Sequence, residues 1–155
     1  MTTDLRDFSG QVVLLVGAAS GIGRSATELI ASRGATVVIA DLDQAGLTSL
    51  QSDLGINASQ VKSVDMSDQK SIQALVANVI SEHGQIDAVV NTAGIVGPTN
   101  TKLEDVDWAI FEKTVAINLF GTIWLTQAVI PHMKSRKYGR IAHVASIAGK
   151  EGNPG

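Results

Sequence analysis

A glycine-rich segment near the amino terminus is the first group of residues whose types and spacing suggest chemistry. Gly17, Gly21 and Gly23 lie in the segment Gly-Ala-Ala-Ser-Gly-Ile-Gly, directly after the apolar run 12–16. A loop of small residues lets the backbone approach a pyrophosphate, and the N-terminus of a following helix donates N–H groups to it. Taken alone, the glycines are equally compatible with a tight strand-to-helix turn that binds no ligand.

An acidic residue downstream favours dinucleotide binding. Asp41 ends the second apolar run, 36–40, and lies 18 residues after Gly23. A carboxylate in this place accepts hydrogen bonds from the adenosine ribose hydroxyls and repels a 2′-phosphate. Ser20 and Leu42 are uncharged at positions where a cation would favour that phosphate. The sequence therefore predicts a dinucleotide site with NAD as its cofactor.

The elements that must position these residues alternate between strands and helices. Short apolar, β-branched runs predict five strands, at 12–16, 36–40, 61–65, 86–91 and 140–145. Helical periodicity predicts four helices between them, at about 22–34, 43–53, 68–84 and 106–136. This alternation, without internal repeats, predicts an α/β fold with a doubly wound parallel sheet of the Rossmann type.

Five residues carry local predictions for the helices. Ile22 and Leu29 are expected on the apolar face of the first helix. Gly46 is expected to weaken the second helix. Ser67 is expected to cap the N-terminus of the third helix, and Pro131 is expected to kink the last one.

Beyond the glycine loop, several segments resemble the short-chain dehydrogenase/reductase family. The spacing Gly-x-x-x-Gly-x-Gly is similar to that of the family, and the similarity extends over all 155 residues. The matching positions are Asn91 to Gly94 after the fourth strand, Asp65 after the third, Asn118 in the long helix and Ser146 after the fifth strand. Thr92 stands where the family usually has a second asparagine.

The resemblance implies a role for each matching residue. In the family, a hydride moves between the nicotinamide and a carbinol or carbonyl carbon, and a tyrosine is the general acid/base. Ser146 would hydrogen-bond the substrate oxygen, and Asn118 would hold a water in the proton relay. Without the family context, Ser146 is an ordinary serine at a strand end and Asn118 a mid-helix polar residue bonded to a local carbonyl. The implied cofactor-binding residues are Gly17, Ser20, Gly21, Ile22, Gly23, Asp41, Asp65, Met66, Asn91, Ala93 and Gly94.

The family's catalytic Tyr-x-x-x-Lys pair falls just past Gly155. The only tyrosine is Tyr138, and Ala142 stands four residues after it. Residues 1–155 are therefore expected to be the dinucleotide-binding front portion of one domain, without dehydrogenase activity by themselves. Two hypotheses follow. One is an NAD-dependent oxidoreductase that interconverts a secondary alcohol and a ketone; the other is a non-catalytic dinucleotide-binding or assembly module that ends at Gly155.

Composition narrows the partners. The net charge of −3 gives no basic surface for nucleic acid, and no unbroken apolar run approaches the ~18 residues of a membrane helix. The three histidines are not spaced as metal ligands, and the chain has no cysteine. The start of the chain is polar and unlike a signal peptide, which predicts a cytoplasmic location. A small alcohol or ketone substrate is the expected partner, and the family resemblance implies a homo-oligomer, either a dimer or a tetramer.

Overall fold

Strands and helices alternate along most of the chain. The computed structural model describes residues 7–151. Its strands are β1 (Val12–Val16), β2 (Thr36–Asp41), β3 (Val61–Ser63), β4 (Ala88–Asn91) and β5 (Arg140–His143). Its α-helices are α1 (Gly21–Ser32), α2 (Gln44–Leu54), α3 (Gln69–His83), α4 (Trp108–Val115), α5 (Thr122–Arg136) and α6 (Ala148–Glu151). A π-helical segment, Ala116–Gly121, joins α4 to α5, and short 3₁₀ turns cover Ala58–Gln60 and Leu103–Asp105.

The five strands form one parallel sheet in the order β3-β2-β1-β4-β5. The chain builds outward from β1 to β3 and then crosses back to add β4 and β5 on the other side. In the register, Val16 at the end of β1 lies beside Ala40 and Asn91. This topology confirms the predicted doubly wound α/β fold. A crevice is expected where the strand order reverses, at the carboxyl ends of β1 and β4.

The core has two halves, one on each face of the sheet. Successive side chains of a strand point to opposite faces, so Leu14 and Leu15 enter different halves, and both are fully buried. Leu14 packs with side chains of α3 and α5, including Val79 and Leu125. Leu15 packs with side chains of α2, including Leu47. Burial on both faces explains why β1 is apolar at every position.

A buried carboxylate ties the amino-terminal ends of the strands to α5. Asp87 is 3% exposed and accepts hydrogen bonds from Val12 N at 2.7 Å, Gln85 Nε2 at 2.8 Å and Arg136 Nη1 at 2.8 Å. Arg136 also donates to Gln85 Oε1 at 3.0 Å. The charge is therefore both paired and hydrogen-bonded, as a buried ion requires. This cluster fixes the last turn of α5 at the end of the sheet opposite the crevice.

The buried face of α1 differs from the prediction. Ile22 is 64% exposed and Leu29 is 51% exposed, whereas Gly23 and Thr27 are buried. Thr27 Oγ1 donates to Gly23 O at 2.7 Å. Because Gly23 must face the loop after β1, α1 turns its side with Gly23 and Thr27 inward. Ile22 is therefore left at the rim of the crevice. The apolar pattern alone did not indicate this rotation.

The helix cap after β3 is also one residue from its predicted place. Asp68 caps α3 by accepting a hydrogen bond from Lys70 N at 2.9 Å. Ser67 instead donates to Asp65 Oδ1 at 2.6 Å. The strands β3 and β5 end two residues earlier than predicted, and β4 begins two residues later.

The last long helix contains its irregularity at a different position from Pro131. Pro131 lies inside α5, whereas the described departure from α geometry is the π-helical segment Ala116–Gly121. A Cβ at Gly121 would lie 2.4 Å from Met66 O, so the missing side chain lets this segment pass against the end of β3. Two aromatic pairs, Trp108 with Phe111 and Phe120 with Trp124, stack within the helical region.

One described helix has the length and composition that would allow it to cross a membrane. This is the continuous helical region Trp108–Arg136, of 29 residues. The sequence shows no unbroken apolar run of this length, because polar residues interrupt the apolar ones along the helix. Length and composition are weak indications by themselves, since the core helix of a soluble protein meets the same criterion. Leu125, Val129 and Met133 of this helix are buried against the sheet and α3.

Candidate dinucleotide site

A cleft of about 320 Å³ opens at the carboxyl ends of β1, β2 and β4. It occupies the crevice that the strand order predicts. Every predicted cofactor-binding residue except Asn91 lines it. The lining residues are Val16, Gly17, Ser20, Gly21, Ile22, Gly23, Asp41, Leu42, Val64, Asp65, Met66, Thr92, Ala93, Gly94, Ile95 and Ile117.

The floor of the cleft is formed by backbone packed directly on backbone. Gly17 has a φ of +81°, and a Cβ there would lie 2.5 Å from Ala93 N. A Cβ at Gly23 would lie 2.0 Å from Gly17 O and 2.5 Å from Thr92 Oγ1. No side chain fits in either space. The loop after β1, the start of α1 and the segment after β4 therefore meet only because these two residues are glycine.

Thr92 fastens the same junction. Its N–H donates to Val16 O at 2.8 Å, and its hydroxyl lies 3.1 Å from Val16 O and 3.0 Å from Gly17 O. The hydroxyl thus bonds the carbonyls that end β1. In the sequence alone, Thr92 is only a departure from the family's pair of asparagines. A hydroxyl residue directly after β4, beside the glycine loop, was the available signal for this role.

Asp41 is held at the edge of the cleft by backbone donors. Its Oδ2 accepts a hydrogen bond from Ala19 N at 2.9 Å, and its Oδ1 accepts one from Asp43 N at 3.0 Å. Each carboxylate oxygen has a further acceptor position, which leaves capacity for the hydroxyls of a ribose. Leu42 beside it is 64% exposed at the cleft and supplies no charge to balance a phosphate.

Asp65 supplies a second carboxylate at the cleft. Its Oδ1 accepts hydrogen bonds from Ser67 Oγ at 2.6 Å and Ser67 N at 2.8 Å. These two bonds, helped by the positive charge of Lys113, lower the pKa of Asp65. Its own N–H donates to Ser71 Oγ at 3.0 Å. The carboxylate is thus ionised and fixed in direction, which suits an acceptor for adenine or ribose donors.

Asn91 lies under the cleft rather than in its wall. It is 2% exposed; its Oδ1 accepts from Ala93 N at 3.1 Å, and its Nδ2 donates to Thr122 Oγ1 at 3.2 Å. The side chain therefore braces the turn that carries Ala93 and joins it to α5. Asn91 therefore braces the site from below and lies outside the cleft lining, whereas the family resemblance implies a cofactor-binding role for it.

Asn118 closes the far rim through its side chain. Its Oδ1 accepts a hydrogen bond from Ile95 N at 2.9 Å, and its Nδ2 donates to Ile95 O at 2.9 Å. Thr122 Oγ1 donates to the backbone carbonyl of Asn118 at 2.9 Å. The side-chain amide is thus held in one direction by Ile95, and the backbone carbonyl, with a second acceptor position, is a further group on which Asn118 could hold a water.

Ser146 lies in the turn after β5, outside the cleft lining. It is exposed, and its Oγ accepts a hydrogen bond from Ala148 N at 3.2 Å. The register places His143 beside Asn91, so the turn leaves the sheet at the same edge as the cleft. A hydrogen bond of 2.9 Å joins His143 Nε2 to Thr126 Oγ1 and ties the end of β5 to α5.

The described residues 7–151 contain no group of three or more histidine, aspartate or glutamate side chains that could hold a metal ion. The cleft carries the donors, the open backbone and the carboxylates that a dinucleotide needs.

Comparison with known proteins identifies one family, by a family model and by individual relatives. The family model described as short chain dehydrogenase matches residues 11–155. A 3-oxoacyl-[acyl-carrier-protein] reductase of Thermotoga maritima is 36% identical over 96% of this chain and 60% of its own length. A 7alpha-hydroxysteroid dehydrogenase of Bacteroides fragilis is 37% identical over 92% of this chain and 56% of its own length. The chain thus spans roughly three-fifths of these curated relatives.

Solved structures agree with the fold described above. A 3-ketoacyl-(acyl-carrier-protein) reductase from Brucella melitensis, complexed with NADH, has a TM-score of 0.85 and 32% identity, covering 96% of this chain and 62% of its own. A second similar structure, 24% identical and complexed with NADP, supports the fold alone. These two proteins bind different nicotinamide dinucleotides.

The close packing at Gly23 yields a direct prediction. In the full-length protein, Gly23→Ala places a methyl group where Gly17 O and Thr92 Oγ1 already lie, so the loop must move. We expect NAD affinity to fall at least ~100-fold, or the protein to fail to fold. Titration with NAD, followed by protein fluorescence, measures the affinity, and a thermal melt checks folding. Ser25→Ala, at an exposed position of the same helix, is the control. A folded Gly23→Ala protein with wild-type NAD affinity would contradict the packing argument.

Proposed function

Because this chain belongs to the short-chain dehydrogenase family of oxidoreductases, we propose that the full-length protein is an NAD-dependent enzyme that interconverts a secondary alcohol and a ketone. The observation that carries the cofactor choice is Asp41, whose carboxylate is held at the cleft edge by two backbone N–H groups. The relatives act on oxoacyl and hydroxysteroid compounds by name. We extend only their shared chemistry, a carbonyl or carbinol carbon, to this protein.

The residues of the cleft fit a dinucleotide. The close approach at Gly17 and Gly23 leaves bare backbone where a pyrophosphate needs it, at the N-terminus of α1. Asp41 and Asp65 supply fixed acceptors for the adenosine half. When bound, the dinucleotide supplies the hydride acceptor or donor. The chain's own part is to hold that group in one orientation against the sheet edge.

The catalytic roles of Ser146 and Asn118 are part of the proposal. Ser146 follows β5 at the same edge of the sheet as the cleft, which supports a role for its hydroxyl in hydrogen-bonding a substrate oxygen. Asn118 acts through its backbone carbonyl, while Ile95 holds its side-chain amide in one direction. A water on that carbonyl would return protons to the general acid that the family carries in the region after residue 155.

The first prediction concerns cofactor choice. The full-length enzyme should use NAD with a kcat/KM at least ~10-fold above that for NADP, a difference of about 1.4 kcal/mol. The reason is repulsion between the Asp41 carboxylate and a 2′-phosphate, with no cation at Ser20 or Leu42. Steady-state kinetics with both cofactors measures the ratio. Asp41→Ala should narrow it, while Asp53→Ala, an exposed position on α2, should leave it unchanged. A wild-type preference for NADP would refute the assignment of Asp41.

The second prediction concerns chemistry. Ser146→Ala in the full-length enzyme should lower kcat by ~10²-fold or more and leave the Kd for NAD near the wild-type value, because the hydroxyl acts on substrate and not on cofactor. Kinetics and NAD titration of the same preparation separate the two effects. Ser81→Ala, on the exposed side of α3, is the control. Normal turnover by Ser146→Ala would mean that another group orients the substrate.

We further propose that the full-length protein is a homo-oligomer that buries the outer side of α4 and α5. Large apolar side chains are exposed along this surface: Trp108, Ile110, Phe111, Leu119, Phe120, Ile123 and Ile130. Contiguous exposed apolar surface of this kind is typical of protein interfaces. The location of the protein in the cytoplasm stays a prediction.

Analytical ultracentrifugation of the full-length protein tests the oligomer. We expect a dimer or tetramer at micromolar concentration, and Ile123→Glu should shift it toward monomer, because it places a charge within the apolar surface. Lys70→Glu, a charge change at an exposed position of α3, is the control. A wild-type monomer would contradict the proposal.

A further inference from the structure

Helix α2 approaches the glycine loop at Gly46, a residue expected from the sequence to weaken the helix. Gly46 lies in the first turn of α2 with helical backbone. A Cβ built on it would lie 2.7 Å from Ala19 Cβ and 3.1 Å from Ala19 O. Real Cβ atoms do not approach other atoms this closely. The helix can therefore rest on Ala19 only because position 46 has no side chain.

Ala19 is also held from its other side. Its N–H donates to Asp41 Oδ2 at 2.9 Å, and the residue is 6% exposed. Gly17 N, earlier in the same loop, donates to Ala40 O at 2.9 Å. The loop is thus joined to the end of β2 by one backbone–backbone hydrogen bond and one hydrogen bond to the Asp41 side chain. Gly46 packs against the methyl group of Ala19.

The cap of α2 belongs to the same assembly. Asp43 Oδ1 accepts hydrogen bonds from Ala45 N at 3.0 Å and Gly46 N at 3.1 Å, and Asp43 N donates to Asp41 Oδ1. Asp43 Oδ2 would lie 2.7 Å from a Cβ at position 46. A side chain there would press on the cap and on Ala19 together, and both touch the Asp41 carboxylate.

We propose that Gly46 is a positioning residue for dinucleotide binding: its bare Cα lets α2 press Ala19 into hydrogen-bonding distance of Asp41, and so sets the direction of the carboxylate that faces the ribose. The inference rests on the proposed function of the cleft. Gly46 contacts no ligand itself; it acts through Ala19 and Asp43. The lower helix propensity of a glycine in the first turn of α2 is the cost of this contact.

The test is Gly46→Ala in the full-length protein, with NAD affinity from titration and kcat/KM for NAD and NADP. We expect the Kd for NAD to rise about 10-fold and the NAD-to-NADP ratio of kcat/KM to narrow. The kcat at saturating NAD should stay within about 2-fold of wild type, because the reacting end is unaffected. A purely structural defect would lower activity with both cofactors and leave their ratio unchanged.

Two variants sharpen the result. Gly46→Ala combined with Ala19→Gly removes the Ala19 methyl group but leaves the close approach to Asp43 Oδ2, so it should restore part of the NAD affinity and of the NAD-to-NADP ratio. Ser49→Ala, an exposed position on α2, improves helix propensity without the contact and should change neither. If Gly46→Ala does not fold, a folded double variant with NAD affinity within about 3-fold of wild type still supports the proposal.

Three outcomes would overturn the inference. These are wild-type NAD affinity and an unchanged cofactor ratio in Gly46→Ala, a defect that Ala19→Gly does not relieve, or a double variant that does not fold. A wild-type protein that binds neither NAD nor NADP would instead refute the proposed function, and the inference with it. The two failures are thus distinguished by the wild-type titration alone.

Discussion

The structure depends on one close contact, in which the backbone after β1 packs on the backbone after β4 without side chains between them. Gly17 and Gly23 make this contact possible, and Thr92 fastens it by bonding the carbonyls at the end of β1. Several features follow from it. Helix α1 must turn its glycine side inward, its N-terminus must face the cleft, and Ile22 must be left at the rim. The open backbone proposed to bind a phosphate is therefore a consequence of how the fold closes.

The two carboxylates near this contact are held in place by hydrogen bonds from backbone N–H groups rather than by ion pairs. Asp41 is held by Ala19 and Asp43, and Asp65 is held by Ser67. Carboxylates held in this way point in one direction. The buried ion-paired aspartate, Asp87, is at the opposite end of the sheet, where it fixes α5. The cleft and the ion pair that anchors α5 thus lie at opposite ends of the sheet.

The sequence was sufficient for the doubly wound parallel fold and for most of the cleft lining. Apolar runs ended by Gly17 and by Asp41 indicate buried parallel strands with polar residues at their carboxyl ends, and such ends meet at one edge of the sheet. The alternation of elements then leaves few topologies. Local signals of this kind depend on residues near in sequence, which is why they could be interpreted without a structure.

The predictions that were wrong or missing depend on contacts between residues distant in sequence. Ile22 and Leu29 follow the helical period, yet the approach of Gly23 to Thr92 decides which side of α1 is buried. Gly46 is a poor helix residue by propensity, and its use is visible only when α2 is seen against Ala19. Serine is a good N-cap residue, but the hydroxyl of Ser67 donates to Asp65, and Asp68 caps the helix instead.

The most direct measurement is a crystal structure of the full-length protein with NAD bound. The account predicts the pyrophosphate against the backbone of the glycine loop at the start of α1, and both adenosine ribose hydroxyls about 3 Å from the Asp41 carboxylate oxygens. It also predicts that the hydrogen bond from Ala19 to Asp41 is retained in the complex. Adenosine bound elsewhere, or a ribose that makes no contact with Asp41, would contradict it.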